Sequence, residues 1–387
     1  MKVGLVTLEG GGIATVCYGI ARNLARKQIS ATVFTDTNGD REFETVNDYM
    51  KIIRLKRLNF PPRIFWFQLQ NLEYLLNSFR KFDIIHGVSA DASILATFYK
   101  QRLKKPYVVS FHAEPLSCVR DFFDSPSSSK TPQEFGHQIM EFPLLKHNIQ
   151  RCINYSDHIL VCSYAALRDF EATYKNLDLN RVSVIYNAVN LDEINNVRVV
   201  NNSSKPKKLS IIYASRLFWV KGLHHLLEAF VFLKKDFKNV HLEVYGSGPE
   251  ENRYKKFVSK AGLGDQVHFH GRIPRNKLIA AIKKADLAVA PSHHEAQSMY
   301  VLEAMACGKP VVAFDIPSMK EIITDGVNGV LAKSFMSNDL AEKIRLVLSD
   351  SELRVKLGRN ALEYVREKHN WDKQIEKYLQ VYSNLLH

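Results

Sequence analysis

The sequence predicts an α/β protein built from two doubly wound parallel-sheet domains that face each other across a cleft. Three observations carry that expectation. The chain has 387 residues, more than one ordinary hydrophobic core serves. Short apolar runs alternate with segments of helical spacing along almost the whole length, the pattern of strand, crossover helix, strand. A polar stretch, Asn195–Lys208 (NNVRVVNNSSKPKK), breaks the rhythm, after which it begins again. The boundaries read as 1–190 for the first domain, 191–208 for a linker and 209–371 for the second domain, with 372–387 a C-terminal helix expected to fold back on the first.

Taken in order, Val3–Thr7 is a first strand, Leu8–Gly12 a glycine-rich loop, and Ile13–Lys27 a helix with a basic end. Ala31–Thr35, Ile52–Leu55, Phe82–His86, Tyr107–Phe111 and His158–Cys162 continue as strands, with helical spacing over Asp91–Tyr99 and Gly136–Asn154. The second series has strands at Leu209–Ala214, His241–Tyr245, Val267–His270, Leu287–Ala290 and Val311–Phe314, with helices at Gly222–Leu233, Arg275–Lys284 and Tyr300–Cys307. Gly308 and Pro310 end the last of these helices. The tail Asp339–Leu386 is largely helical, with Trp371, Tyr378 and Tyr382 as packing residues.

Composition fits a globular protein: 46% hydrophobic and 24% charged residues. No apolar run reaches the ~20 residues of a membrane span, and the N-terminus reads as a strand rather than a signal peptide. The five cysteines make no C-x-x-C pair and read as free, mostly buried thiols of a reducing, cytoplasmic compartment. His293-His294 and His268/His270 have no further ligand at metal spacing, so no metal is expected from them. A net charge of +13 favours anionic partners, whether nucleic acid, anionic lipid or diphosphates. No recognition helix or aromatic stacking sheet accompanies it, so nucleic acid is not expected as a partner.

Four stretches carry chemistry. In EAQSMYVLEAMACGKPVVA, Glu295 and Glu303 stand eight positions apart, the first in a loop and the second within a helix whose free N–H groups, at Gln297, Ser298, Met299 and Tyr300, suit a phosphate. Ser215–Gly222 (SRLFWVKG) follows a strand and sets Arg216 and Lys221 five apart, where they can clamp a diphosphate and offset the charge of a departing nucleotide. Gly10-Gly11-Gly12 lets the backbone approach a phosphate or sugar. A rival reading makes it a dinucleotide fingerprint with Asp36 as ribose acid, but Thr15 occupies the third small-residue position. His112 closes a strand, and Glu114, two residues on, is a weaker candidate for the acceptor.

These residues together resemble the retaining nucleotide-sugar glycosyltransferases of family 4 (group 1), which have the GT-B fold of two Rossmann-like domains. The first stretch is similar to the family's E-x7-E region, where the first Glu contacts the transferred sugar and the second the ribose. SRLFWVKG resembles G-R-L-x-x-x-K-G, with Ser215 in place of Gly. The resemblance implies that His112 lies beside the reacting sugar and Gly11 and Gly12 against the donor phosphate, and that Arg272 and Ile273 hold the base through the main chain. Gly246–Glu250 and Val184–Asn190 also resemble family segments, the latter with Ala188 for Gly. Gln297 and Ser298 depart from the family's Phe-Gly, which loosens any inference about the sugar. Similarity is strongest from Leu209 to Gly329 and weak over 36–80 and 115–150.

The implied activity is transfer of a sugar from a nucleoside-diphosphate sugar, the co-substrate, to an acceptor hydroxyl with retention, without cofactor or metal. Two alternatives share these residues: a nucleotide-sugar epimerase on the same fold, and an inactive GT-B scaffold that only binds. Lys51–Lys81 carries seven cations against the single acid Glu73, interleaved with Phe60, Phe65, Trp66 and Phe67. Such a surface suits peripheral contact with an anionic membrane and a lipid-linked acceptor such as a glycolipid or a lipid-linked oligosaccharide. The competing reading makes the aromatics core beneath an exposed basic helix.

Overall fold

A computed structural model describes residues 1–8, 11–57, 63–88, 100, 102–112, 146–147, 149–174, 176–199, 209–237 and 239–387. The helix expected over Asp91–Tyr99, most of that expected over Gly136–Asn154, and Glu114 lie outside the described residues. Contacts divide the chain into two compact units. Of the described residues, the first holds those up to Ala188 together with Trp371–His387, and the second holds Val189–Asn370.

In the first unit, β1 (Lys2–Val6), β2 (Ser30–Thr37), β3 (Glu42–Asn47), β4 (Met50–Lys56), β5 (Ile84–Gly87), β6 (Tyr107–Phe111), β7 (His158–Val161) and β8 (Val182–Val184) form one sheet in the order β3-β4-β2-β1-β5-β6-β7-β8. Every pairing is parallel except β3 with β4. β5 and β6 are buried at every residue, which is why they read as unbroken apolar runs. β3 escapes that signal. All six of its residues are exposed, and it folds back through the two-residue turn Asp48-Tyr49 as a charged edge strand.

The second unit has β9 (Leu209–Ala214), β10 (Val240–Tyr245), β11 (Val267–Phe269), β12 (Leu287–Ala290), β13 (Val311–Phe314) and β14 (Val330–Ala332), ordered β11-β10-β9-β12-β13-β14 and parallel throughout. Counted within the unit this is the doubly wound order 3-2-1-4-5-6. Part of the stretch read as linker is folded: Asn190 caps the helix Leu191–Asn196 by accepting from Glu193 N–H at 3.1 Å, and Ile194 is buried.

The C-terminal helix Trp371–Leu386 belongs to the first unit and packs on the helix Gly11–Arg26. Trp371, Tyr378 and Tyr382 are all buried. The Tyr382 hydroxyl hydrogen-bonds His86 Nδ1 at 2.6 Å, and His86 Nε2 bonds Ser110.

Lys51–Lys81 is not one basic helix. It contains β4 and the helices Arg63–Gln70 and Leu72–Phe79. Phe67 is wholly buried, Arg54 pairs with Glu44 and Arg57 with Asp36, while Lys51, Lys56, Arg80 and Lys81 stay exposed. Among the described residues no helix is long and apolar enough to cross a membrane.

Candidate active site

β9 and β12 lie side by side in the middle of the second sheet, and the chain leaves them toward opposite edges. Such a switch point opens a crevice outside the strands' carboxyl ends. Ser215–Gly222 follows β9, and Pro291–Ser298 follows β12. The two segments are laced together. His293 N–H donates to the Val220 carbonyl at 2.8 Å. Gly222, at φ +68°, abuts the Pro291 carbonyl where no Cβ fits. Lys221 Nζ donates to Glu295 Oε1 at 2.8 Å, and Ser292 Oγ donates to the same oxygen at 3.1 Å.

Lys221 and Glu295 side chains are only 15% and 16% exposed. A mostly buried ion pair returns little net stability, because desolvation offsets the attraction. Its position at the crevice is therefore better explained by chemistry than by folding. Arg216 is exposed, its guanidinium 5.0 Å above the Phe218 ring. The turn Gly246-Ser247-Gly248 presses on this segment: Ser247 accepts from Leu217 N–H at 3.0 Å, and a Cβ at Gly246 or Gly248 would strike the carbonyl of Ser215 or Leu217. Gly246 N–H in turn donates to the Gly271 carbonyl at 2.8 Å, which brings Arg272 (exposed) and Ile273 (half-buried) to the same rim.

Ser298 caps the helix Met299–Ala306, its hydroxyl accepting from Val301 N–H at 3.4 Å. The first-turn amides of Met299 and Tyr300 have no intrahelical acceptor. Only their main chain can serve a ligand in the case of Tyr300, whose phenol donates to the Ile212 carbonyl at 2.6 Å and braces β9. Gln297 and Ser298 are both buried. Glu303 is 6% exposed and shared with a partner that spacing did not reveal. Arg275 donates from Nε to Glu303 at 2.7 Å and from its NH1 nitrogen to Glu193 at 2.7 Å. Burial raises the Glu303 carboxyl above its ordinary range against the pull of Arg275.

In the first unit, His112 follows β6 and its Nδ1 lies 3.0 Å from Asn187 Oδ1. An amide oxygen only accepts, so Nδ1 carries the proton and Nε2 the lone pair. Burial lowers this imidazole to about 4, the Asn187 bond opposing, so it is neutral at pH 7. Gly11 opens the helix Gly11–Arg26 and Gly12 is exposed. Asp36 is buried and committed to Arg57, which removes the acid required by the dinucleotide reading.

Linear spacing also missed a histidine cluster. The pairs weighed from sequence are His293-His294 and His268/His270, yet the fold gathers ring nitrogens of His224, His225 and His293 within 4.8 Å of one another. Arg275 and Asn187 were missed because each meets its partner, Glu303 or His112, only through the fold, and Ser292 because its contact with Glu295, three residues on, depends on the shape of the loop. A local signal for Arg275 is its R-x-x-R spacing from Arg272.

Two family profiles cover nearly the whole chain: "Glycosyltransferase Family 4" matches residues 10–193 and "Glycosyl transferases group 1" matches residues 196–364. A relative from Methanocaldococcus jannaschii, named only as an uncharacterized glycosyltransferase, is 26% identical over 99% of this chain and 98% of its own. Among solved structures, sucrose-phosphate synthase from Thermosynechococcus elongatus superposes with a TM-score of 0.82 at 20% identity, covering 100% of this chain and 99% of that one. An Anabaena protein crystallised with UDP-glucose gives a TM-score of 0.73 at 18% identity, covering 99% and 100%. Sheet topology, the laced Lys221–Glu295 segments and these matches agree: the chain belongs to the group 1, family 4 glycosyltransferases, enzymes of the GT-B fold.

Proposed function

We propose that the enzyme takes its sugar from a nucleoside-diphosphate sugar and passes it to an acceptor hydroxyl with retention of configuration. The observation that carries this reading is the Lys221–Glu295 pair at the switch point of the second sheet, and the Anabaena neighbour crystallised with UDP-glucose supports the choice of donor. Breaking the glycosyl–phosphate bond builds negative charge on the leaving diphosphate. Arg216, Lys221 and the first-turn amides of Met299 and Tyr300 supply positive charge and donors for it. The protein thus provides the charge compensation itself, and no divalent metal is assigned to the diphosphate. Glu295, held by Lys221 and Ser292, orients the sugar hydroxyls. Glu303 takes the ribose, with Arg275 holding its carboxylate. Gly11 and Gly12 are assigned to the donor phosphate, Arg272 and Ile273 to the base, and neutral His112 to the reacting sugar.

Buried, paired and buttressed, none of these carboxylates is set up as a nucleophile, so attack on the face the nucleotide leaves is the favoured course. Among the described residues, a lipid-linked acceptor has only the exposed Lys51, Lys56, Arg80 and Lys81 behind it. The test is a screen of nucleoside diphosphates and their sugars by thermal shift, followed by transfer assays with Glu295→Ala and Lys221→Ala. Each substitution is expected to lower kcat/KM on the order of 10²-fold or more, the scale of losing one preorganised charge contact. Wild-type-like turnover in either variant defeats the assignment. An inverted anomeric product in the NMR spectrum defeats retention, and release of free sugar or an epimerised donor without any acceptor favours the epimerase.

A further inference from the structure

We propose that His224, His225 and His293 form a binding site for one divalent late transition metal of the Zn²⁺ class. This goes beyond the transferase reading and does not depend on it. His224 and His225 open the helix Leu223–Asp236, and His293 lies in the loop after β12, so the ligands come from the two segments that the switch point joins. Their ring nitrogens lie within 4.8 Å of one another. Zinc–nitrogen bonds of 2.0–2.1 Å set tetrahedral ligands about 3.4 Å apart. Side-chain rotations that close the cluster by on the order of 1 Å complete the geometry.

Two further observations point to a ligand rather than to packing. Both ring nitrogens of His224, and Nε2 of His293, are buried without a hydrogen-bond partner among the described residues. An orphaned buried polar atom is costly, and a metal takes up the lone pairs. His225, by contrast, is buttressed through its other nitrogen. Nδ1 lies 2.8 Å from Ser337 Oγ, and that hydroxyl donates to Glu228 Oε2 at 2.6 Å. With the Ser337 proton so committed, Nδ1 is the donor and Nε2 is left as the coordinating atom, the outer-sphere arrangement that orients metal-bound imidazoles.

The donor set decides the class of metal. Three imidazoles without a carboxylate suit Zn²⁺, Cu²⁺ or Ni²⁺ rather than Mg²⁺ or Ca²⁺, which require oxygen. Arg253, stacked over Trp219 on the far side of His224, is the opposing charge. The ion would pin the helix that follows Lys221 to the loop that carries Glu295, and so hold two donor-binding groups at fixed separation.

The test uses the full chain without a polyhistidine tag, stripped with chelator and titrated with Zn²⁺ by calorimetry and with Co²⁺ by visible absorption. One saturable equivalent is expected, with intense tetrahedral-type Co²⁺ bands that Zn²⁺ displaces. Zn²⁺ should raise the melting temperature of the wild type but not of His224→Ala or His293→Gln, each of which should bind at least tenfold more weakly. His268→Ala, which alters the separate His241–His268 contact at 3.3 Å, should bind like the wild type. The site is overturned by absence of saturable binding in the wild type, by weak octahedral-type bands, by unchanged affinity in both variants, or by loss of binding in His268→Ala. The wild-type titration decides the matter even if a variant fails to fold.

Discussion

At the scale of single residues, the buried carboxylates among the described residues are paired: Asp36 with Arg57, Glu250 with Arg253 and Glu303 with Arg275. Glu303 illustrates the point. Removing Arg275 would strand a carboxylate that is 6% exposed, and would take one partner from Glu193 as well. Because the guanidinium itself is 32% exposed, the loss falls below that of a fully buried pair, on the order of 2 kcal/mol. Arg275→Ala should lower the melting temperature and raise KM for the donor; Arg275→Lys should recover less than half of either, since an ammonium cannot bridge two carboxylates as a fork does. Full recovery by lysine would show that charge alone matters. A second expectation concerns acid. His86 is lowered to about 3 by burial and by neighbouring His112, and His112 to about 4 by burial. Their folded values lie below the unfolded value of 6.5, so unfolding takes up protons below that pH. The stabilisation is complete above pH 6.5 and is lost as pH falls toward 4, by about 1.4 kcal/mol per pH unit for each group. Urea midpoints of the first unit should therefore drop between pH 7 and 5.5, with a shallower slope in His86→Gln. Equal slopes in the two proteins would contradict this origin.

At the scale of elements, close approaches between helices matter more than the helices' own propensities. Gly19, in the middle of the helix Gly11–Arg26, is the seat of the Trp371 indole, and a Cβ there would lie 2.1 Å from Trp371 Cζ2. Trp371 is large and 6% exposed, so it cannot swing aside. Gly19→Ala should cost about 1–3 kcal/mol through overpacking, despite the better helix propensity of alanine. Adding Trp371→Leu should return part of it. A more stable Gly19→Ala protein, judged by its melting temperature, would refute this packing argument. The same distinction explains what could be read from the sequence. β9 and β13 are visible to the residue because central parallel strands are continuous apolar runs. β3 was not, since its EFETVN alternation faces solvent, nor were the three-residue β8 and β14, which are too short to show a period. Lys221, Glu295 and Glu303 stood out because strand–helix connections fix their place locally. Arg275 and the joining of His293 to His224 and His225 did not, because those partnerships exist only once segments far apart in sequence are brought together, while the Ser292–Glu295 contact, three residues apart, depends on how its loop folds.

For the molecule as a whole, the division of the chain has an unequal consequence for its two units. Among the described residues the second is the single stretch Val189–Asn370, with its own core from Val189 to Val365. The first needs both ends of the polypeptide, since Trp371–His387 belongs to it. Trp371, Ile375, Tyr378, Val381 and Tyr382 are buried there. At about 1.5–3 kcal/mol for each large apolar side chain, the C-terminal helix contributes on the order of 10 kcal/mol of burial as an upper bound. A whole domain is stable by only about 5–15 kcal/mol. The helix is therefore decisive for the first unit. Ending the chain after Asn370 should abolish the thermal transition of the first unit and leave that of the second intact, so that calorimetry shows one transition where the full chain shows the sum of two. Residues 189–370 alone should fold cooperatively and, by the donor assignment, bind a nucleoside diphosphate with a melting-temperature rise. Residues 1–188 should fold only when 371–387 are joined to them. If 1–188 melts cooperatively by itself, the His86–Tyr382 bond and the Trp371 seat are ornaments of a unit that stands without them.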